Sequence, residues 1–236
     1  MSDERRNELQ LLQDILGIET LVGEITHKKA REARDASTVS AIRDPFRRPN
    51  AARRAMGESI VTGSVEAKDH THMHGRILDA LTGLPISNAE LEIWQTGLYE
   101  REGPQQPDTE MRGRFMTAAD GEYDFYCLRS VSYPIPNDRP AGRLLRLLDR
   151  NVMRPAHSRF IVSAAGYETL DTRIFDRMDG FVGGDAGFAV KEGLGVDFAE
   201  KRGDPRARFE SGFDFRLVRY GGAGGEGVRG ATAKAP

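Results

Sequence analysis

The chain has 236 residues, with 34 Lys+Arg against 36 Asp+Glu, five histidines, one cysteine, 39% hydrophobic residues and a net charge of −2. That length and apolar share suit one globular domain with a real core, and the single cysteine excludes a disulfide framework or a multi-cysteine zinc module. The even charge balance argues against a dedicated nucleic-acid binder. No apolar run approaches the ~20 residues needed to cross a bilayer, and MSDERRNELQ lacks a secretory leader, so a cytoplasmic protein is expected.

In chain order, Leu11, Ile15, Ile18, Val22 and Ile25 recur at steps of four and three, which predicts one amphipathic helix. Its stripe must pack on the main body or on a partner chain. Residues 28–58 carry charge without a period. Arg43, Arg47, Arg48, Arg53 and Arg54 flank Pro45-Phe46, but Asp35, Asp44 and Glu58 interrupt the run, which favours a solvated loop over a nucleic-acid patch.

From about residue 60 the period changes to two. Leu91 and Ile93 alternate with Glu90 and Glu92, and Phe213, Phe215 and Leu217 alternate with Asp214 and Arg216. Phe125–Leu128, Phe160–Val162 and Thr172–Phe175 are strand-like in composition. Turn signals at Thr82–Pro85, Asp120-Gly121, Asn137-Asp138 and Ala165-Gly166 separate them. The expected fold is mainly β: an antiparallel β-sandwich over residues 59–220 behind a short N-terminal helical segment in 1–58. The Gly-rich tail, 221–236, is read as disordered.

Three segments offer chemistry. His70, His72 and His74 alternate along an extended stretch, so their imidazoles face one side and offer a zinc site, against the plainer reading of a polar strand. Tyr133-Pro134-Ile135-Pro136 is a stiff segment able to hold a tyrosine oxygen still. In Arg154-Pro155-Ala156-His157-Ser158-Arg159, His157 and Arg159 share a side at the start of a strand. Cys127 lies in an apolar stretch and is expected to be buried and inert.

In succession, several motifs resemble the intradiol ring-cleavage dioxygenases, and among them the hydroxyquinol 1,2-dioxygenases. They are Leu16-Gly17, Asp44-Pro45-Phe46, Gly57-Glu58-Ser59-Ile60, Gly75–Asp79, Glu92–Gln95, Gly97-Leu98-Tyr99, Arg112–Phe115, Tyr133–Pro136 and Arg154–His157. The resemblance implies a β-sandwich whose N-terminal helical part supports a homodimer. It also implies a non-haem Fe(III) centre held by two tyrosinates and two histidines. By motif, Tyr99, Tyr133 and His157 match metal ligands, and Tyr133 matches the tyrosine that leaves the iron and takes up substrate protons. Arg154 matches the arginine beside the substrate, and Ile42, Pro45 and Phe46 match pocket-lining positions. The implied activity, in aromatic catabolism, cleaves hydroxyquinol or a related catechol between its hydroxyl-bearing carbons with O₂.

The chain departs from that pattern at several places. Arg159 stands where the second histidine is expected, and a guanidinium offers no lone pair to a metal. Arg173 replaces a glutamine, Asp44 a glycine, and Arg139 a glycine whose backbone is expected to be strained in any other residue. The stretch from Trp94 to Tyr99 is shorter than usual, and much of the leading helical region is missing. These departures leave open a second reading, a non-catalytic relative that binds an aromatic ligand or a partner.

Overall fold

The computed structural model describes residues 7–31, 37–41, 51–61, 70–95 and 111–220. Helix α1 (Glu8–Ile15) is capped by Asn7, whose side-chain oxygen accepts the Gln10 N–H at 3.2 Å. It stops at Leu16-Gly17 because Gly17 takes φ +69° and its N–H folds back to the Asp14 carbonyl at 3.0 Å. Helix α2 (Ile18–Arg31) follows at once. The stripe expected on one helix is therefore split: Ile15 is buried, whereas Ile18, Val22 and Ile25 are exposed.

In chain order the next strands are β1 (His70–Asp79), β2 (Glu90–Gln95), β3 (Arg112–Met116), β4 (Glu122–Leu128) and β5 (Tyr133–Pro134). After helix α3 (Pro140–Leu147) come β6 (Met153–Arg154), β7 (His157–Ser163), β8 (Leu170–Asp176) and β9 (Gly195–Val196). The last are β10 (Ala199–Glu200), β11 (Phe209–Gly212) and β12 (Phe215–Leu217). One sheet runs β10-β11-β1-β12, with β4 also paired to β1, and the other runs β3-β2-β7-β8-β9. A two-stranded ribbon, β5-β6, stands apart. Most pairs are antiparallel, but β1 runs parallel to β11 and β12, and β8 parallel to β9.

Alternation decides what lies between the sheets. Met73, Ile77 and Phe125 of the first sheet and Leu91, Ile93, Phe160 and Val162 of the second enter one core cluster. The Phe125 and Phe160 rings meet across it at 6.5 Å. Cys127 is fully buried there, and burial pushes its thiol up to about 12, so no thiolate forms near neutral pH. Arg53 and Arg54, read as part of a charged loop, contact Glu90 and the Arg112 carbonyl.

Arg139 corrects one expectation. It precedes α3 with φ −119° and ψ −167°, ordinary extended backbone, so the arginine carries no strain. No described helix is long and apolar enough to cross a membrane.

Candidate active site

The outer face of the second sheet gathers the polar groups that its core face excludes. On β7, Phe160 and Val162 point inward, so His157 and Arg159 share the opposite face. Register places Trp94 of β2 and Arg173 of β8 beside Arg159, and Phe175 beside His157. Asp171, two residues from Arg173, joins the same face.

The β5-β6 ribbon adds the tyrosine. Prolines 134 and 136 hold the chain extended, and its pairing sets Tyr133 opposite Arg154. The segment leading into Tyr133 is anchored by Gln95, whose Nε2 donates to the Leu128 carbonyl (2.8 Å) and to the Ser130 and Ser158 hydroxyls (3.0 and 2.7 Å). The Tyr133 and His157 ring centroids lie 5.7 Å apart. Tyr133, Arg154 and His157 are thus brought together. Tyr99, Ile42, Pro45 and Phe46 lie outside the described residues, as do Asp44 and the shortened stretch before Tyr99.

His157 Nδ1 lies 2.8 Å from the Pro155 carbonyl, which can only accept, so this nitrogen holds the proton. Nε2 keeps its lone pair for another partner. Burial first, then the Arg154 and Arg173 guanidinium groups, push the imidazole down to about 3, so it stays neutral. Arg154 donates from Nε to Asp185 Oδ1 at 2.6 Å, and the Gly187 and Ala189 N–H groups hold that carboxylate at 3.0 and 2.8 Å. Burial opposes the Arg154 charge, but Tyr133 and Asp185 outweigh it and raise its pKa. Its Nη2 is buried and has no hydrogen-bond partner among the described residues.

Arg159 is 2% exposed and is turned to Asp171 Oδ1, which accepts from Nε and Nη2 at 3.2 and 3.1 Å. Its guanidinium carbon lies 5.2 Å from the centre of the Trp94 ring. Burial, with Arg173 nearby, lowers its pKa to about 10, which leaves it cationic at neutral pH. Asp171 offsets that charge, but the residue supplies no electron pair.

Two further residues face the same place and were missed in the sequence. Asp14 of α1 and Glu19 of α2 line one pocket with Arg154, Arg173 and Lys191. Burial and the neighbouring Glu19 push the Asp14 carboxyl up to about 7. In the sequence both read as the polar side of an amphipathic helix. The three-histidine cluster expected on β1 forms only in part: His72 and His74 gather with Glu210, and His70 lies outside the group. Its place is taken by a carboxylate that strand β11 brings alongside.

A family model described as "Dioxygenase" matches residues 48–219. The chain is 39% identical over 216 residues to the intradiol ring-cleavage dioxygenase prcA of Aspergillus niger, covering 90% of this chain and 69% of that one. It is 41% identical over 216 residues to a hydroxyquinol 1,2-dioxygenase of a Rhizobium species, covering 89% and 70%. The solved hydroxyquinol 1,2-dioxygenase of Pseudomonas putida superposes with a TM-score of 0.82 at 29% identity, over 93% of this chain and 78% of that one. With the sandwich, the Tyr133–Arg154–His157 grouping and these matches in agreement, the chain belongs to the intradiol ring-cleavage dioxygenase family.

Proposed function

We propose that this chain cleaves the ring of hydroxyquinol, or of a related catechol, between its adjacent hydroxyl-bearing carbons with O₂. One observation carries the reading: the β5-β6 ribbon pairs Tyr133 with Arg154 and brings the Tyr133 ring to 5.7 Å from the neutral His157 imidazole at the start of β7. Family members use non-haem iron. Tyr133 and His157 suit a ferric ion, since phenolate oxygen is a hard anionic donor and His157 presents an unprotonated Nε2. Tyr99 is assigned as the third protein donor from its motif. Arg159 does not fit as a fourth, so the proposed site holds its metal with three side chains.

Bound ferric iron supplies the electron-accepting centre that makes a catecholate ring reactive toward O₂. The protein's own residues prepare the ring. Tyr133 Oη takes up a hydroxyl proton as the diol binds. Arg154, locked by Asp185, aims its unsatisfied Nη2 at the negative charge that the ring acquires. Asp14 and Glu19, which share a pocket with Arg154, offer hydrogen-bond acceptors to a third ring hydroxyl, which favours hydroxyquinol as the substrate. Oxygen uptake by the iron-loaded protein checks this: consumption with hydroxyquinol exceeding that with catechol is expected. An absence of uptake with either substrate contradicts the assignment.

The exposed Ile18, Leu21, Val22 and Ile25 of α2 are assigned to the contact with a second copy. Sedimentation of the wild type as a dimer and of Leu21→Glu as a monomer is expected, and a monomeric wild type contradicts it.

A further inference from the structure

The outer face of the first sheet carries a second group of ligand-type residues. On β1, Met73 and Ile77 point into the core, so His72 and His74 face outward. Parallel pairing with β11 sets Glu210 beside His72 and Gly212 beside His74. Gly212 leaves the space that the His74 ring uses, since a Cβ there would lie 3.2 Å from His74 Cε1. The two imidazole centroids are 5.4 Å apart, although same-side residues on a strand are ~6.6 Å apart along the backbone. One ligand atom from each of His72, His74 and Glu210 lies within 4.8 Å of the other two.

Hydrogen bonding orders these donors. His72 Nε2 lies 3.1 Å from Asp124 Oδ2, which only accepts, so the proton sits on Nε2 and the lone pair on Nδ1. That Nδ1 lies 3.1 Å from Lys201 Nζ, which also donates to Glu210 Oε2 at 2.9 Å. A cation, the Lys201 ammonium, therefore already stands where an imidazole lone pair and a carboxylate converge. Asp124 orients His72 from behind, the arrangement that commonly backs a metal-bound histidine.

We propose that His72, His74 and Glu210 form a zinc site in which Zn²⁺ displaces the Lys201 ammonium, with water in the fourth position. Two nitrogens and one carboxylate oxygen are a donor set that zinc accepts in tetrahedral geometry. Donors around such an ion stand about 3.3 Å apart, so the group must contract. Glu210, with 40% of its side chain exposed, has room to do so. The bound ion would tie β11 to β1.

Zinc titration of the full-length, iron-loaded protein, followed by equilibrium dialysis and metal analysis, tests this. One equivalent of zinc is expected with no loss of iron. His74→Ala should weaken binding at least about tenfold, and Lys201→Met, which removes the competing ammonium, should strengthen it by a similar factor. Thermal melts of each variant confirm folding. A folded wild type that takes up no zinc, zinc bound equally well by His74→Ala, or Lys201→Met that binds no more tightly, each overturns the proposal.

Discussion

At the scale of single residues, the site turns on Arg159 and on His157. Arg159 donates two hydrogen bonds to Asp171 in a buried pair, so replacing it alone takes both from a buried carboxylate. Arg159→His should therefore destabilise the fold by about 3 kcal/mol, while Arg159→His combined with Asp171→Asn should recover most of that loss. The double variant also offers a fourth nitrogen donor, and its iron affinity should rise at least about tenfold. Denaturant melts and iron dialysis read the two effects separately. His157 makes a pH prediction. Its pKa falls from the ordinary 6.5 to about 3 on folding, so the unfolded chain takes up a proton that the folded chain refuses. Its contribution is full above pH 6.5 and is lost progressively as pH falls toward 3. Melts of the iron-free protein should show His157→Gln to be less acid-sensitive than the wild type across that window.

At the scale of elements, helix α1 is tied to the sandwich through another helix's first turn. Arg139 gives α3 no side-chain cap, and Glu8 supplies one from α1: its Oε1 accepts the Ala141 N–H at 2.9 Å. Gly142 allows the same turn to press on Asn137, where a Cβ would fall 1.9 Å from the carbonyl oxygen. Arg150 closes the other end by donating to the Ile15 carbonyl at 2.5 Å. Glu8→Ala should cost about 1–2 kcal/mol in denaturant melts, and Glu8→Gln, which keeps an acceptor oxygen, should cost less. The strands were legible because alternation over β2 and β12, and aromatic and β-branched composition over β4, β7 and β8, are local properties. The break in the first helix depended on Gly17 taking a left-handed turn, which the period of the flanking apolar residues does not announce. The parallel pairs of β1 join segments more than 130 residues apart, beyond any local pattern.

At the scale of the molecule, the two sheets bury one apolar core and display a different polar cluster on each outer face. Tyr133, Arg154 and His157 could be read in the sequence, because the family's motifs carry them in short contiguous runs. The partner of Arg159 could not, since Asp171 reaches it only through the register of β7 against β8. Asp14 and Glu19 were equally hidden: they join the site only because the helices lie over the outer face of the second sheet. Near-neutral net charge conceals this concentration, in which buried Arg154 and Arg159 and half-buried Arg173 stand against Asp171 and Asp185 and favour an anionic ring. The iron content and visible spectrum of the ferric-loaded protein test the account most directly. A stoichiometric ion with a phenolate-to-iron charge-transfer band, altered in Tyr133→Phe and absent in His157→Ala, is the predicted result. A colourless protein that retains no iron, or a band indifferent to both substitutions, would contradict it.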